Sequence, residues 1–174
     1  FGLPKLDSPG YREDLSLGAS SLLDIGSYTL SSILNLFPNK EITIINYKKI
    51  PKAPKLIDFE GRVELNIDES IDCNLEWAYN RSYRNEIDVW GDKGSLYTEK
   101  VFSKESSYKP SIIVKDLKGK KSKIEVEPAN HFHLMLESFV ESVHKEDKLN
   151  YQREQIINLM ELIHTLRGSV PKNL

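Results

Sequence analysis

The chain has 174 residues, 39% hydrophobic and 29% charged, a length and balance that suit one globular domain with a buried core. Its formal net charge of −2 gives no electrostatic basis for binding nucleic acid or an anionic membrane. No apolar run nears the roughly 20 residues of a membrane span and no signal peptide is read; the single cysteine, Cys73, excludes an internal disulfide and fits a reducing, cytoplasmic setting.

Residues 1–19 are rich in turn formers: Pro4, the Asp7-Ser8-Pro9-Gly10 turn, then Tyr11-Arg12. A helix is predicted from near Ser21 to about Phe37. Leu23, Gly26, Leu30, Ile33, Leu34 and Phe37 recur at the helical period and form one expected buried stripe. Asp24, Tyr28, Ser31 and Asn35 form a second, polar stripe, with Asp24 and Tyr28 one turn apart. An interior glycine costs roughly 1 kcal/mol against alanine, so Gly26 calls for something that approaches the helix closely. From periodicity alone the polar stripe is either a solvated face or a site.

A strand is expected from about Glu41 to Ile50, with Ile42, Ile44 and Ile45 at its heart. Lys48, Lys49, Lys52 and Lys55, with Pro51 and Pro54, read as a basic connection in which proline stops strand pairing. From Gly61 the pattern is β: Val63, Leu65 and Ile67 alternate with polar residues, as do Ile71, Cys73, Leu75 and Trp77. The outward set includes Glu64, Asn66, Asp72, Asn74 and Glu76, so any association through this sheet would be wet or only partly apolar. Glu86 to Trp90 and Gly94 to Glu99 flank one hairpin turn, and Ile112 to Lys115 and Lys123 to Glu127 flank another at Lys118-Gly119-Lys120-Lys121. Two helices close the chain. The first opens at Asn130 with a stripe of Phe132, Met135, Leu136, Phe139, Val140 and Val143. The second starts near Tyr151 with Ile156, Leu159, Met160, Ile163 and Leu166, and stops at Gly168 and Pro171.

A helix, a run of strands and then two helices imply an α+β fold: an open antiparallel β-sheet of roughly five to seven strands with helices packed on one face. No metal site is read. His131 and His133 are two apart on a helix and point away from each other, and no cluster has ligand spacing. A nucleophile elbow is also absent, and Cys73 sits in a strand.

The stretch Leu17-Gly18-Ala19-Ser20-Ser21-Leu22-Leu23-Asp24-Ile25-Gly26-Ser27-Tyr28 resembles the motif that opens the second domain of the Gfo/Idh/MocA oxidoreductases, with Ala19 and Ser20 in place of two glycines. Phe1-Gly2-Leu3-Pro4, Trp90-Gly91-Asp92-Lys93-Gly94-Ser95-Leu96 and Asn130-His131-Phe132 resemble further pieces of that family, in its order. The resemblance implies that residues 1–174 are a C-terminal domain, without the N-terminal nucleotide-binding (Rossmann) domain of a complete member. It implies NAD or NADP in the whole protein and none for this chain, which has no Gly-x-Gly-x-x-Gly. It makes a sugar, nucleotide-linked sugar or related polyol the expected substrate, and a homo-oligomer formed through the sheet the expected assembly. Tyr28 stands where the family places a proton-exchanging residue and Asp24 where a carboxylate orients substrate or that partner, while Arg12, Asn130 and His131 stand near the substrate. A tyrosine has an ordinary pKa of about 10 and is a proton donor at neutral pH, which favours ketone reduction. The alternative is a non-catalytic interaction or sugar-binding module that dimerises through its sheet.

Overall fold

Eight strands and three α-helices form in the computed structural model, which describes residues 1–5, 7–52 and 57–168. Pro54, Lys55 and Pro171 lie outside the described residues. The fold is α+β as expected, but the strands make two four-stranded sheets where one was predicted. They fall in two compact units, Phe1–Tyr83 with Gln152–Leu174, and Arg84–Tyr151.

In the first unit, β1 (Gly2–Leu3), β2 (Ile42–Lys52), β3 (Ile57–Ile67) and β4 (Ile71–Tyr79) lie in the order β1-β4-β3-β2. β2, β3 and β4 are antiparallel neighbours, and β1 runs parallel to β4. β3 and β1 flank β4 on both sides, so the strand that follows in sequence cannot pair with it. β2 departs twice from its expected form. A register slip between Ile44 and Asn46 ejects Ile45, which is 61% exposed and not at the strand's heart. The strand also continues through Pro51, which is tolerated because β2 is an edge strand and the register slips again there.

The core of this unit lies on one face of its sheet. Val63, Leu65 and Ile67 of β3 and Leu75, Trp77 and Tyr79 of β4 meet Leu22, Ile25, Leu30 and Ile33 from the first helical segment. Ile163 and Leu166 of α3 (Glu146–Gly168) join the same cluster. On the opposite face Asn66 donates to Asp72 at 2.8 Å, and Arg62 reaches Glu64 and Glu76 at 3.5 and 3.6 Å. That face is polar, as the alternation predicts.

The second unit holds an antiparallel meander of β5 (Glu86–Gly91), β6 (Gly94–Glu99), β7 (Ser111–Asp116) and β8 (Lys121–Glu125). Both predicted hairpins form. α2 (His131–His144) follows, and Asn130 caps it by accepting from the amides of Phe132 and His133. The apolar stripe forms on this helix, and Phe132, Met135, Leu136, Phe139, Val140 and Val143 are all exposed. Periodicity put these residues on one helix face, but it cannot say what covers that face. α3 begins at Glu146, earlier than predicted, with Glu146 and Asp147 in its first turn complementing the helix dipole. Ile163 and Leu166 are buried, while Ile156 and Met160 are exposed.

Candidate functional site

The first helical segment is not a plain α-helix. Leu22–Gly26 forms a wide π turn, closed by a bond from the Ser27 amide to the Leu22 carbonyl, and α1 (Ser27–Leu36) continues from it. The extra residue in this turn shifts the helical phase. Leu22 and Ile25 therefore enter the core, and Leu23, expected there, is exposed. Downstream, Leu30, Ile33 and Leu34 are buried as predicted. π turns of this kind are frequent at functional sites.

Two contacts from the sheet seat the turn. Asp58 of β3 accepts from the Leu22 amide at 3.0 Å and from the hydroxyls of Ser20 and Ser21 at 3.1 and 3.3 Å. A carboxylate here satisfies an otherwise orphaned donor at the helix start and complements the dipole. The indole of Trp77 fills the space left by Gly26 on the helix and Gly61 on β3. The close approach inferred from Gly26 is thus made by a core side chain.

Asp24, in the middle of the π turn, is held on every side. Tyr11 donates to Oδ1 at 2.7 Å, Arg12 donates from Nε to Oδ2 at 2.6 Å and from Nη2 to Oδ1 at 3.3 Å, and Tyr79 donates to Oδ2 at 2.9 Å. Burial pushes the Asp24 carboxyl up, but the bonds from Arg12, Tyr11 and Tyr79 outweigh it and the group sits below the usual carboxylate value. The Tyr79 hydroxyl is pushed far up, by burial first and by its bond to Asp24 second. Tyr11 is also raised, chiefly by its bond to Asp24. The carboxylate is therefore a fixed anion and a poor proton acceptor.

Tyr28 follows on the next turn and is 43% exposed. The Phe1 ring meets its ring edge-on, with centroids 5.8 Å apart. Asp24 and Tyr28 thus share a helical segment, although an insertion of one residue lies between the predicted α geometry and the observed one. The first unit brings Arg12 directly onto Asp24. Asn130 and His131 belong to the second unit, where the Asn130 side-chain oxygen is engaged as a helix cap and His131 packs on the Phe132 ring with centroids 4.3 Å apart.

Sequence reasoning missed Tyr79, Tyr11 and Asp58. For Tyr79 a signal existed: the alternation Cys73, Leu75, Trp77 continues inward to residue 79. Nothing local marks Asp58, whose partners lie 36 to 38 residues earlier.

The fold is shared with about half of the chain of solved ketoreductase structures. Among solved structures, the chain is similar to KijD10, a 3-ketoreductase from Actinomadura kijaniata in complex with NADP and TDP-benzene. The TM-score is 0.81 at 18% identity, covering 96% of this chain and 51% of that one. A Tyr-to-Phe mutant of KijD10, also in complex with TDP-benzene and NADP, gives a TM-score of 0.84 at 17% identity, over 96% and 51% of the two chains. Among curated proteins, dTDP-3,4-didehydro-2,6-dideoxy-alpha-D-glucose 3-reductase of Saccharopolyspora spinosa is 25% identical over 103 residues, 59% of this chain and 31% of its own. The chain therefore spans about half the length of the solved relatives and about a third of the curated one. No protein-family model matches it.

Proposed function

We propose that this chain is the substrate-binding domain of an NAD(P)-dependent oxidoreductase that reduces a keto group on a nucleotide-linked sugar, with Tyr28 as the proton donor. The observation that carries the reading is an exposed phenol, Tyr28, one turn beyond a π turn whose carboxylate is fixed by Arg12, Tyr11 and Tyr79. The names of the similar proteins support the substrate class and the cofactor.

A nicotinamide cofactor, held outside this chain, would provide the hydride for the carbonyl carbon. This chain supplies the proton. The Tyr28 O–H bond breaks as its proton passes to the carbonyl oxygen, and the phenolate regains a proton from water. Arg12 keeps N–H groups beyond the two it gives to Asp24, and these suit a sugar hydroxyl or phosphate oxygen. Homo-oligomers form in this reading through the polar sheet face around Arg62, Glu64 and Glu76.

The test is reduction of a dTDP-linked 3-keto sugar by NADPH, with this chain joined to its nucleotide-binding half and by this chain alone. The joined protein turns over, and the chain alone neither turns over nor binds NADH or NADPH by calorimetry. Micromolar binding of either nucleotide by the chain alone would overturn the reading.

A further inference from the structure

We infer that the Asp24 carboxylate is a saturated clamp that aims Tyr28, with Tyr79 as its buried anchor; Asp24 is a positioning residue and does not contact substrate. This rests on the proposed role of Tyr28 as proton donor.

The argument begins with lone pairs. A carboxylate offers about four acceptor sites, two on each oxygen. At Asp24 the Tyr11 hydroxyl and Arg12 Nη2 occupy Oδ1, and Arg12 Nε and the Tyr79 hydroxyl occupy Oδ2. No acceptor capacity remains for a substrate hydroxyl. The groups that this carboxylate turns outward are its donors, Arg12 and Tyr11.

Tyr79 differs from the other donors. It is 5% exposed, and its ring is fixed edge-on by Phe59 with centroids 5.5 Å apart. Its hydroxyl lies 2.9 Å from Asp24 and 3.2 Å from the Ser20 carbonyl, which also accepts the Asp24 amide at 3.0 Å. One buried phenol therefore touches both the carboxylate in the π turn and the carbonyl that precedes the turn. This ties the wide turn to β4.

The turn's width sets the rotation between Asp24 and Tyr28 about the helix axis. A π turn holds one residue more than an α turn, and one residue is about 100° of rotation about the helix axis. If the turn relaxed to α geometry, α1 could keep its core face only by rotating the residues before it, and with them the relation between Asp24 and Tyr28. Asp58 and Trp77 seat the turn against the sheet. The Tyr79–Asp24 bond fixes the side that carries the polar residues.

The test uses the whole protein, with steady-state kinetics for Tyr79→Phe, Asp24→Asn, the double variant and Tyr28→Phe. Tyr79→Phe keeps the ring and its contact with Phe59, and should lower kcat about tenfold, the scale of one hydrogen bond to a charged group, with little change in KM. In the Asp24→Asn background the same substitution should change kcat less than about twofold, because both act through one carboxylate. A Tyr79→Phe protein with lowered Tm and unchanged kcat, or additive losses in the double variant, would show that Tyr79 only packs. Should Tyr79→Phe fail to fold, Tyr11→Phe reads the clamp from its exposed side. A few-fold loss of kcat is expected there, and no loss overturns the clamp. Tyr28→Phe separates the two readings: unchanged turnover overturns the proton-donor role, whereas a large loss there beside a normal Tyr79→Phe overturns the clamp alone.

Discussion

The indole of Trp77 lies directly on the backbone of Gly26: a Cβ added at residue 26 would stand 2.8 Å from the ring. Trp77 is 2% exposed and stacks on Tyr47, with centroids 6.2 Å apart, so the ring cannot swing away. On its other flank a Cβ at residue 61 would stand 2.3 Å from the same ring. The two glycines form a slot that lets the π turn approach the sheet at the distance of an aromatic plane.

Gly26→Ala and Gly61→Ala should each therefore destabilise the chain by about 1–3 kcal/mol, the usual cost of overpacking a filled core. Urea unfolding followed by tryptophan emission measures this. Trp77 is the buried tryptophan and Trp90 the exposed one, so the change in emission on unfolding reports chiefly on Trp77. A variant as stable as the parent would mean that the slot is not tight.

Asp24→Asn should change stability in a pH-dependent way. The folded Asp24 carboxyl sits below its ordinary value, held there against burial by Arg12, Tyr11 and Tyr79. A depressed acid contributes stability that is fully present above its unfolded pKa, near 4, and is lost as the pH falls through the lower folded value. The parent should lose this contribution below about pH 4. Asp24→Asn should lack it throughout, at a cost of about 1–3 kcal/mol near neutrality from donors left without their charged partner. Denaturant unfolding across the acid range tests this: parallel pH profiles for parent and variant would contradict it.

The alkaline limb belongs to the buried tyrosines. Burial first, then the nearby Asp58 charge, pushes the Tyr47 hydroxyl up to about 12, and Tyr79 is raised further still. A raised tyrosine contributes stability that is fully present below the unfolded pKa of about 10 and lost as the pH rises through the folded value. Stability should fall between about pH 10 and 12, and Tyr47→Phe should flatten part of that fall. Tyrosinate absorbance in the native protein should show a late-ionising group near pH 12 that disappears in Tyr47→Phe.

Tyr28→Phe should keep the fold, since Tyr28 is 43% exposed and its ring contact with Phe1 is retained. In the whole protein the variant should lose about 10²–10⁴-fold in turnover, the usual worth of a positioned general acid, while KM for the sugar changes little. A variant that turns over normally would assign the proton to another donor.

Much of the fold was legible because its signals are local. Val63, Leu65 and Ile67 alternate with polar neighbours, and a strand with a period of two places them on one face whatever surrounds it. The two hairpins followed from strand patterns on either side of short turns, and the Asn130 cap from residue type before a helical period. Asp24, Tyr28 and Arg12 were singled out by residue type and spacing, and the folded chain brings Arg12 onto Asp24.

What the sequence by itself determined is which residues share a face; what tertiary structure decided is what each face meets. Leu23 was placed in the core by a period of 3.6, and the π turn moved Leu22 there instead, because the turn is set by Asp58 and Trp77 from distant strands. The α2 stripe is as regular as that of α1 and is exposed, since periodicity carries no information about a partner. Asp24 was expected to orient substrate or its proton-exchanging partner. Tyr79, 55 residues further along the chain, and the loop carrying Tyr11 and Arg12 converge on it and occupy its oxygens. Hydrogen-bond saturation depends on which groups meet in space, and only the folded chain brings these four together.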